Sequence, residues 1–227
     1  NAYRPGDNLW TDSTIALDAD TGKIKWGFQH TPNDPYDYDS IAENTFVDTN
    51  VNGKFVRTTI HSNRNGFTYA LDRKTGEFLW GTQFVDKLNW TPGLDAKGKP
   101  VSYNPKVDVQ TYAKGTAAAR GTVTKGRGDV EGILEPGHMG GKNWPPTSYS
   151  PHTGLYYIPT IEGCNKAYAE VTVPGAHKPR DLFLGGAPFT TFDDPNCGRI
   201  SGSITAIDVS NGKVAKTYKA RALWDKI

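Results

Sequence analysis

The densest run of chemistry-bearing side chains is HTPNDPYDYD at 30–39, which sets the carboxylates of Asp34, Asp37 and Asp39 close together. An ionised carboxylate only accepts, so it can take a proton from a hydroxyl or ligate a hard cation. In an extended segment residues two apart point the same way, so Asp37 and Asp39 could face one cation. The plain alternative for each is a turn or cap, and Asp34 reads as the residue that holds the loop ahead of Tyr36. Two other segments set polar groups among turn formers: Arg64 in NRNG at 63–66, and Asn143 beside Trp144 in GGKNWPP at 140–146. Arg carries a fixed charge, and the Asn amide both donates and accepts.

Several other chemistries are not supported. The five His are far apart and none has H-x-x-x-H or H-E-x-x-H spacing, which argues against zinc. There is no G-x-x-x-x-G-K-[ST] phosphate loop, no G-x-S-x-G nucleophile elbow and no C-x-x-C-H haem attachment. Cys164 and Cys197 lie 33 residues apart without C-x-x-C spacing. They are compatible with one extracytoplasmic disulfide or with two free thiols.

The elements that must position these residues are announced by a repeat. Residues 16–26 read ALDADTGKIKW and residues 70–80 read ALDRKTGEFLW. AIDVSNGKVAK at 206–216 keeps the Asp and Gly but has Lys216 where Trp stood, and SPHTGLYYIP at 150–159 keeps only the Thr-Gly turn and the aromatic strand after it. In each full copy an apolar strand ends at an Asp that can bond into the next turn, and the Gly tolerates a positive φ. The strand that follows carries a Trp able to bury a large face between neighbouring sheets. Small antiparallel sheets repeated every 40–50 or so residues specify an all-β propeller whose units cover one another's faces. The turn glycines Gly22, Gly76, Gly154 and Gly212 give a count of about four blades. The wide gap in the series implies an inserted loop at about 89–146, which contains the Gly- and Lys-rich AKGTAAARGTVTKGRG.

Composition agrees. Of the 227 residues, 36% are hydrophobic and 11% aromatic, with six Trp, eleven Tyr, 25 Gly and 15 Pro, a balance of strand and turn formers with too much apolar material for disorder. The 26 basic and 24 acidic residues leave a net charge of +2 with no long block of either sign, so nothing points to nucleic acid or an anionic membrane. Scattered Lys and Arg over 114–127 read as a solvated loop. No apolar run approaches the roughly 20 residues of a membrane span. The opening NAYRPGDNLW reads as the interior of a domain, so the chain is expected to be a piece of a longer one.

The ordered segments resemble the quinoprotein methanol and ethanol dehydrogenases. RPGDNLW (4–10) is similar to that family's RPGDN element, and HTPNDPYDYD to its TP-x-D-x-[WY]-D-[YF] element. SNRNGFTYALDRKTG (62–76) and GGKNWPPTSYSPHTGLYY (140–157) resemble its N-G-x-x-Y-x-L and G-G-x-N-W-x-P stretches, and the copies of the repeat resemble its Trp-docking motifs. The resemblance implies an eight-bladed propeller, of which residues 1–227 would be part of a single domain binding pyrroloquinoline quinone. It implies oxidation of a small primary alcohol to an aldehyde, with Asp37 as general base and the quinone as hydride acceptor. It assigns Asp37 and Asp39 to a metal ion, and Arg64, Asn143 and Trp144 to the cofactor. An acid at position 39 resembles lanthanide-dependent members, whereas many calcium enzymes have a small neutral residue there, so the ion is either calcium or a lanthanide. Tyr36 replaces the Trp that more often precedes the base, a change that could alter the substrate pocket. The family's other metal ligands, adjacent-cysteine disulfide and cofactor-stacking Trp are expected upstream. A periplasmic location, a cytochrome or similar electron acceptor and a homodimer are compatible with this reading. Two rival readings are a non-catalytic propeller scaffold and an enzyme of the same fold acting on sugars or polymeric alcohols.

Overall fold

The computed structural model describes residues 5–110, 112, 127–170, 180 and 200–220, and among them every regular element is a β-strand. The Lys- and Arg-bearing stretch of the inserted loop over 113–126, and Cys197, lie outside the described residues. β1 (Ser13–Leu17) and β2 (Ile24–Gln29) form a hairpin. β3 (Thr45–Val51), β4 (Lys54–Ser62), β5 (Phe67–Asp72) and β6 (Phe78–Gln83) form a four-stranded antiparallel meander. β8 (Ser148–Ser150), β9 (Leu155–Glu162), β11 (Ser201–Asp208) and β12 (Val214–Ala220) form a second one. β7 (Arg127–Leu134) and β10 (Asn165–Glu170) pair with each other. Part of the stretch expected as an inserted loop is therefore a strand.

The repeat does what its residue types require. In the three copies that keep the Asp and the Gly, the turn glycines Gly22, Gly76 and Gly212 have φ near +70°, and their N–H groups bond Asp18, Asp72 and Asp208. Each of those carboxylates also accepts N–H groups inside its own turn. The register slips by one residue just before each turn, at Ala16/Leu17, Ala70/Leu71 and Ala206/Ile207, as a bulge demands. Gly154 makes a similar turn at β8–β9, so it opens the sheet that the Gly212 turn closes.

The tryptophans dock each sheet on the next. The Trp26 indole donates to Arg73 O at 3.2 Å and covers Gly76, where a Cβ would come within 2.7 Å of the ring. Trp80 donates to Val209 O at 3.2 Å and covers Gly212 with the same clearance. Glycine is needed at both turns, for the positive φ and for this approach. Val47, Ile60 and Ala70 pack with Tyr156, Ile158 and Ile207 into a core between the two large sheets. A second, aromatic core of Tyr36, Tyr38, Phe67, Tyr69 and Trp90 lies under the loop that carries Asp37.

Candidate active site

The site is built at one end of the sheets, where the β4–β5 turn meets the exits of β6 and β9. Residues 63–66 make a tight turn: Asn63 Oδ1 accepts from Asn65 N at 2.9 Å and Asn65 Oδ1 from Phe67 N at 3.0 Å. Gly66 closes the turn at φ +93°. The Trp90 indole bonds Asn65 O at 2.8 Å, and Asn65 Nδ2 reaches Thr31 and Tyr69, so the turn is anchored from below. Arg64 projects from this turn with its side chain only 10% exposed.

The neighbouring loop supplies the acids. Asp34 accepts from Tyr36 N at 2.8 Å and Tyr38 N at 2.6 Å, which is the loop-holding role expected of it. Burial, reinforced by the charge of Asp12, pushes its carboxyl up to about 8 against those two bonds. Tyr36 and Tyr38 point into the aromatic core while Asp37 and Asp39 are exposed, so the two carboxylates share the open side. The backbone at Asp37 is left-handed, with φ +64°, rather than plainly extended. Tyr36 is packed against Tyr38, Trp90 and Tyr112, so its ring forms part of the floor beneath Asp37.

Asp37 Oδ2 lies 4.0 Å from Arg64 Nη1, with the Asp side chain 51% exposed. Partial burial raises the Asp37 carboxyl above the usual range; the Arg64 charge pulls it down and the Asp39 charge pushes it up. Arg64 Nη2 donates to His138 O, whereas its Nε is buried with no hydrogen-bond partner among the described residues.

The 140–144 segment closes over Arg64. Gly141 N donates to Arg64 O at 2.8 Å, and a Cβ on Gly140 would meet the Arg64 Cβ at 2.5 Å. Gly140 is therefore what allows the loop to lie on the arginine, while Gly141 fits against Val85, with which a Cβ would clash. Asn143 is engaged in its own turn, donating to Met139 O and accepting from Trp144 N, both at 2.9 Å. The Trp144 side chain is exposed, with 80% of the residue open to solvent. Asp37 and Arg64 thus meet directly, the 140–144 loop touches Arg64, and Asp39 joins Asp37 on the open side. Among the described residues no group of three or more His, Cys, Asp or Glu is arranged to hold a metal ion.

Residues 1–169 match the family described as the PQQ glucose/ethanol/alcohol dehydrogenase β-propeller domain. The chain belongs to that family. It is similar to quinoprotein alcohol dehydrogenase PedH of Pseudomonas putida, with 38% identity over 97% of this chain and 34% of that protein. The lanthanide-dependent methanol dehydrogenase of Methylorubrum extorquens is 31% identical over 95% of this chain and 41% of its own length. Among solved structures, the quinohemoprotein alcohol dehydrogenase ADHIIG of Pseudomonas putida HK5 superposes with a TM-score of 0.73 and 30% identity, covering 95% of this chain and 30% of that one. The chain therefore spans about a third of the length of these relatives.

In this PQQ-type propeller some site-supporting residues were not visible in the sequence. Tyr38 donates to Pro136 O at 2.6 Å and ties the Asp37 loop to the strand-end ahead of the glycine pair. Lys142, its side chain fully buried, reaches Glu43 at 3.5 Å and Asn143 O at 3.1 Å. Burial lowers its ammonium below the usual range, with Glu43 opposing. The Tyr-Asp-Tyr-Asp alternation at 36–39 was a usable signal for Tyr38; a single Lys among glycines gave none for Lys142. Cys164 is buried and disulfide-bonded, which decides between the two alternatives left open for it.

Proposed function

We propose that this chain is the portion of a PQQ-dependent alcohol dehydrogenase that supplies the general base, Asp37, and its partner arginine. One observation carries the reading: a half-exposed Asp lies beside a buried Arg whose Nε has no partner among the described residues, on a chain of the PQQ propeller family. An unpartnered buried guanidinium N–H calls for an acceptor that the described residues do not provide. A quinone carbonyl or carboxylate fits that need, so Arg64 would hold the cofactor. When bound, pyrroloquinoline quinone with its metal ion, calcium or a lanthanide, supplies an acceptor for the hydride leaving the alcohol carbon.

The chain's own residues do the rest. Asp37, raised by burial yet held down by Arg64, takes the hydroxyl proton of a primary alcohol, which leaves as the aldehyde. Such proton transfer typically contributes about 10²–10⁴ in rate. The fixed charge of Arg64 stabilises negative charge developing beside it. Asp37 and Asp39 offer two oxygen donors on one side of the loop to the cation, and a second acid suits the higher charge of a lanthanide. Trp144 offers an exposed aromatic face beside the Arg64 turn, and Asn143 positions it through the Trp144 N–H. The Cys164 disulfide favours an oxidising compartment, here the periplasm, with a cytochrome or similar carrier as electron acceptor. No helix among the described residues is long and apolar enough to cross a membrane.

The test is reconstitution of the full-length protein with the quinone and either calcium or a light lanthanide, followed by dye reduction with primary alcohols. Turnover under at least one metal is expected. Turnover with lanthanide alone, lost in Asp39→Ala, would support the second carboxylate as a ligand. Absence of turnover under both metals would overturn the enzyme reading in favour of a scaffold.

A further inference from the structure

The Asp37 loop and the Arg64 turn approach one another through a long, half-exposed ion pair, which is a weak way to fix a distance. A different set of groups joins the same two segments below the surface. Asp12, just before β1, is 9% exposed, and Asn63 and Ser40 both reach its Oδ1. Asn63 Nδ2 donates to Asp12 Oδ1 at 2.8 Å and to Ser40 Oγ at 2.7 Å, and Ser40 Oγ in turn donates to Asp12 Oδ1. The three groups therefore form a closed triangle of contacts. Asn63 immediately precedes Arg64, and Ser40 immediately follows Asp39.

We infer that Asp12 is a positioning residue for the proposed reaction: its carboxylate sets the separation between the Asp37–Asp39 loop and Arg64. The inference rests on the reading of Asp37 and Arg64 given above. Asp12 is well placed for this. Its own backbone O accepts from His30 N at 2.8 Å, so the anchor is tied to the strand that leads into the acid loop. Its second oxygen, Oδ2, is buried and has no hydrogen-bond partner among the described residues, so Oδ1 alone carries the two links. The acceptor is buried, so a lost bond here is not replaced by water at the same place. Asp12 is too far inside to be a catalytic group; it acts through Ser40 and Asn63.

The experiment uses the full-length protein with Asp12→Ala, Asp12→Asn, Ser40→Ala and Arg64→Met, each checked by thermal melting. Two assays are run: kcat and KM with a primary alcohol, and the Kd of the quinone-free protein for pyrroloquinoline quinone by fluorescence quenching. A displacement of about 1 Å between reacting groups costs about 10²-fold in rate, so Asp12→Ala should lose about that much kcat with little change in KM. Its quinone Kd should rise about tenfold, as Arg64 drifts from its place. Asp12→Asn keeps a carbonyl oxygen that accepts both bonds and should regain most of both quantities. Ser40→Ala, which leaves the Asn63–Asp12 bond, should lose about tenfold in kcat; should Asp12→Ala fail to fold, this variant carries the test. A kcat within threefold of the parent in folded Asp12→Ala or Ser40→Ala overturns the proposal. So does an Asp12→Asn protein that melts normally yet is as slow as Asp12→Ala. If Arg64→Met binds the quinone as well as the parent does, the assignment of Arg64 to the cofactor fails, which is a separate result from either of these.

Discussion

Trp80→Ala removes the clasp between the two large sheets, and its cost can be worked from the contacts. The Trp80 side chain is nearly buried at 7% exposure, lies over Gly212 of the next sheet and donates to Val209 O. Burying an indole removes about 150–250 Å² from water, or about 4–6 kcal/mol at 25 cal/mol per Å² as an upper bound. The indole bond adds about 1 kcal/mol, and partial collapse of the space returns some of the total. The expected loss is about 4 kcal/mol, inside the range of about 3–5 kcal/mol for such truncations. Gly212→Ala attacks the same contact from the other side. Its φ of +72° strains any side chain by about 1–2 kcal/mol, and its Cβ would lie 2.7 Å from the Trp80 ring. Gly154 has nearly the same φ with no described atom within 4 Å, so Gly154→Ala should show the strain alone. The double variant Trp80→Ala/Gly212→Ala has room for the new methyl, so its loss should fall short of the sum by at least about 1 kcal/mol. Urea midpoints of the full-length protein, at unchanged slope, measure all four. A Trp80→Ala loss below about 1 kcal/mol, or strict additivity, would refute the docking argument.

Three other outcomes follow from the same contacts. Glu162, raised by burial from 4.5 to about 7 in the folded protein, binds a proton between those values that the unfolded chain has released. Stability from this group is therefore highest below pH 4.5, falls as pH rises to about 7 and is flat above. Glu162→Gln should flatten that slope in melting midpoints taken at pH 5 and pH 8. Cys164→Ala should cost about 2–5 kcal/mol, and a reductant should shift the melt of the parent but not of the variant. Tyr38→Phe strands the Pro136 carbonyl, for an expected loss of about 1–2 kcal/mol in the same urea series.

Local chemistry was what the sequence made legible. Asp18, Asp72 and Asp208 each precede a turn whose glycine must take a positive φ, and that short-range constraint is written in adjacent residues. The destinations of Trp26 and Trp80 could be stated as a neighbouring sheet, but the particular turns, at Gly76 and Gly212, needed the fold. The weak copy at Gly154 shared the turn chemistry of the others and so could not show that it opens a sheet already counted. β7 was hidden because its RGDVEGIL reads with the Gly- and Lys-rich stretch before it, and only its pairing with β10 makes it a strand. In the site, the alternation at 36–39 foretold which residues face out. Asp12, Ser40 and Asn63 are single polar residues in separate turns, far apart in the chain, and no spacing links them. Asn143 shows the converse: its amide could be named as a ligand, but the bonds within its own turn appear only in three dimensions.

The central claim, that Asp37 takes the alcohol proton, is tested most directly by Asp37→Asn in the full-length protein loaded with the quinone and metal. Loading must be confirmed spectroscopically, because Asp37 is also assigned to the metal. With both bound, kcat should fall by about 10²–10⁴. A loaded Asp37→Asn protein that turns over within threefold of the parent would contradict the account.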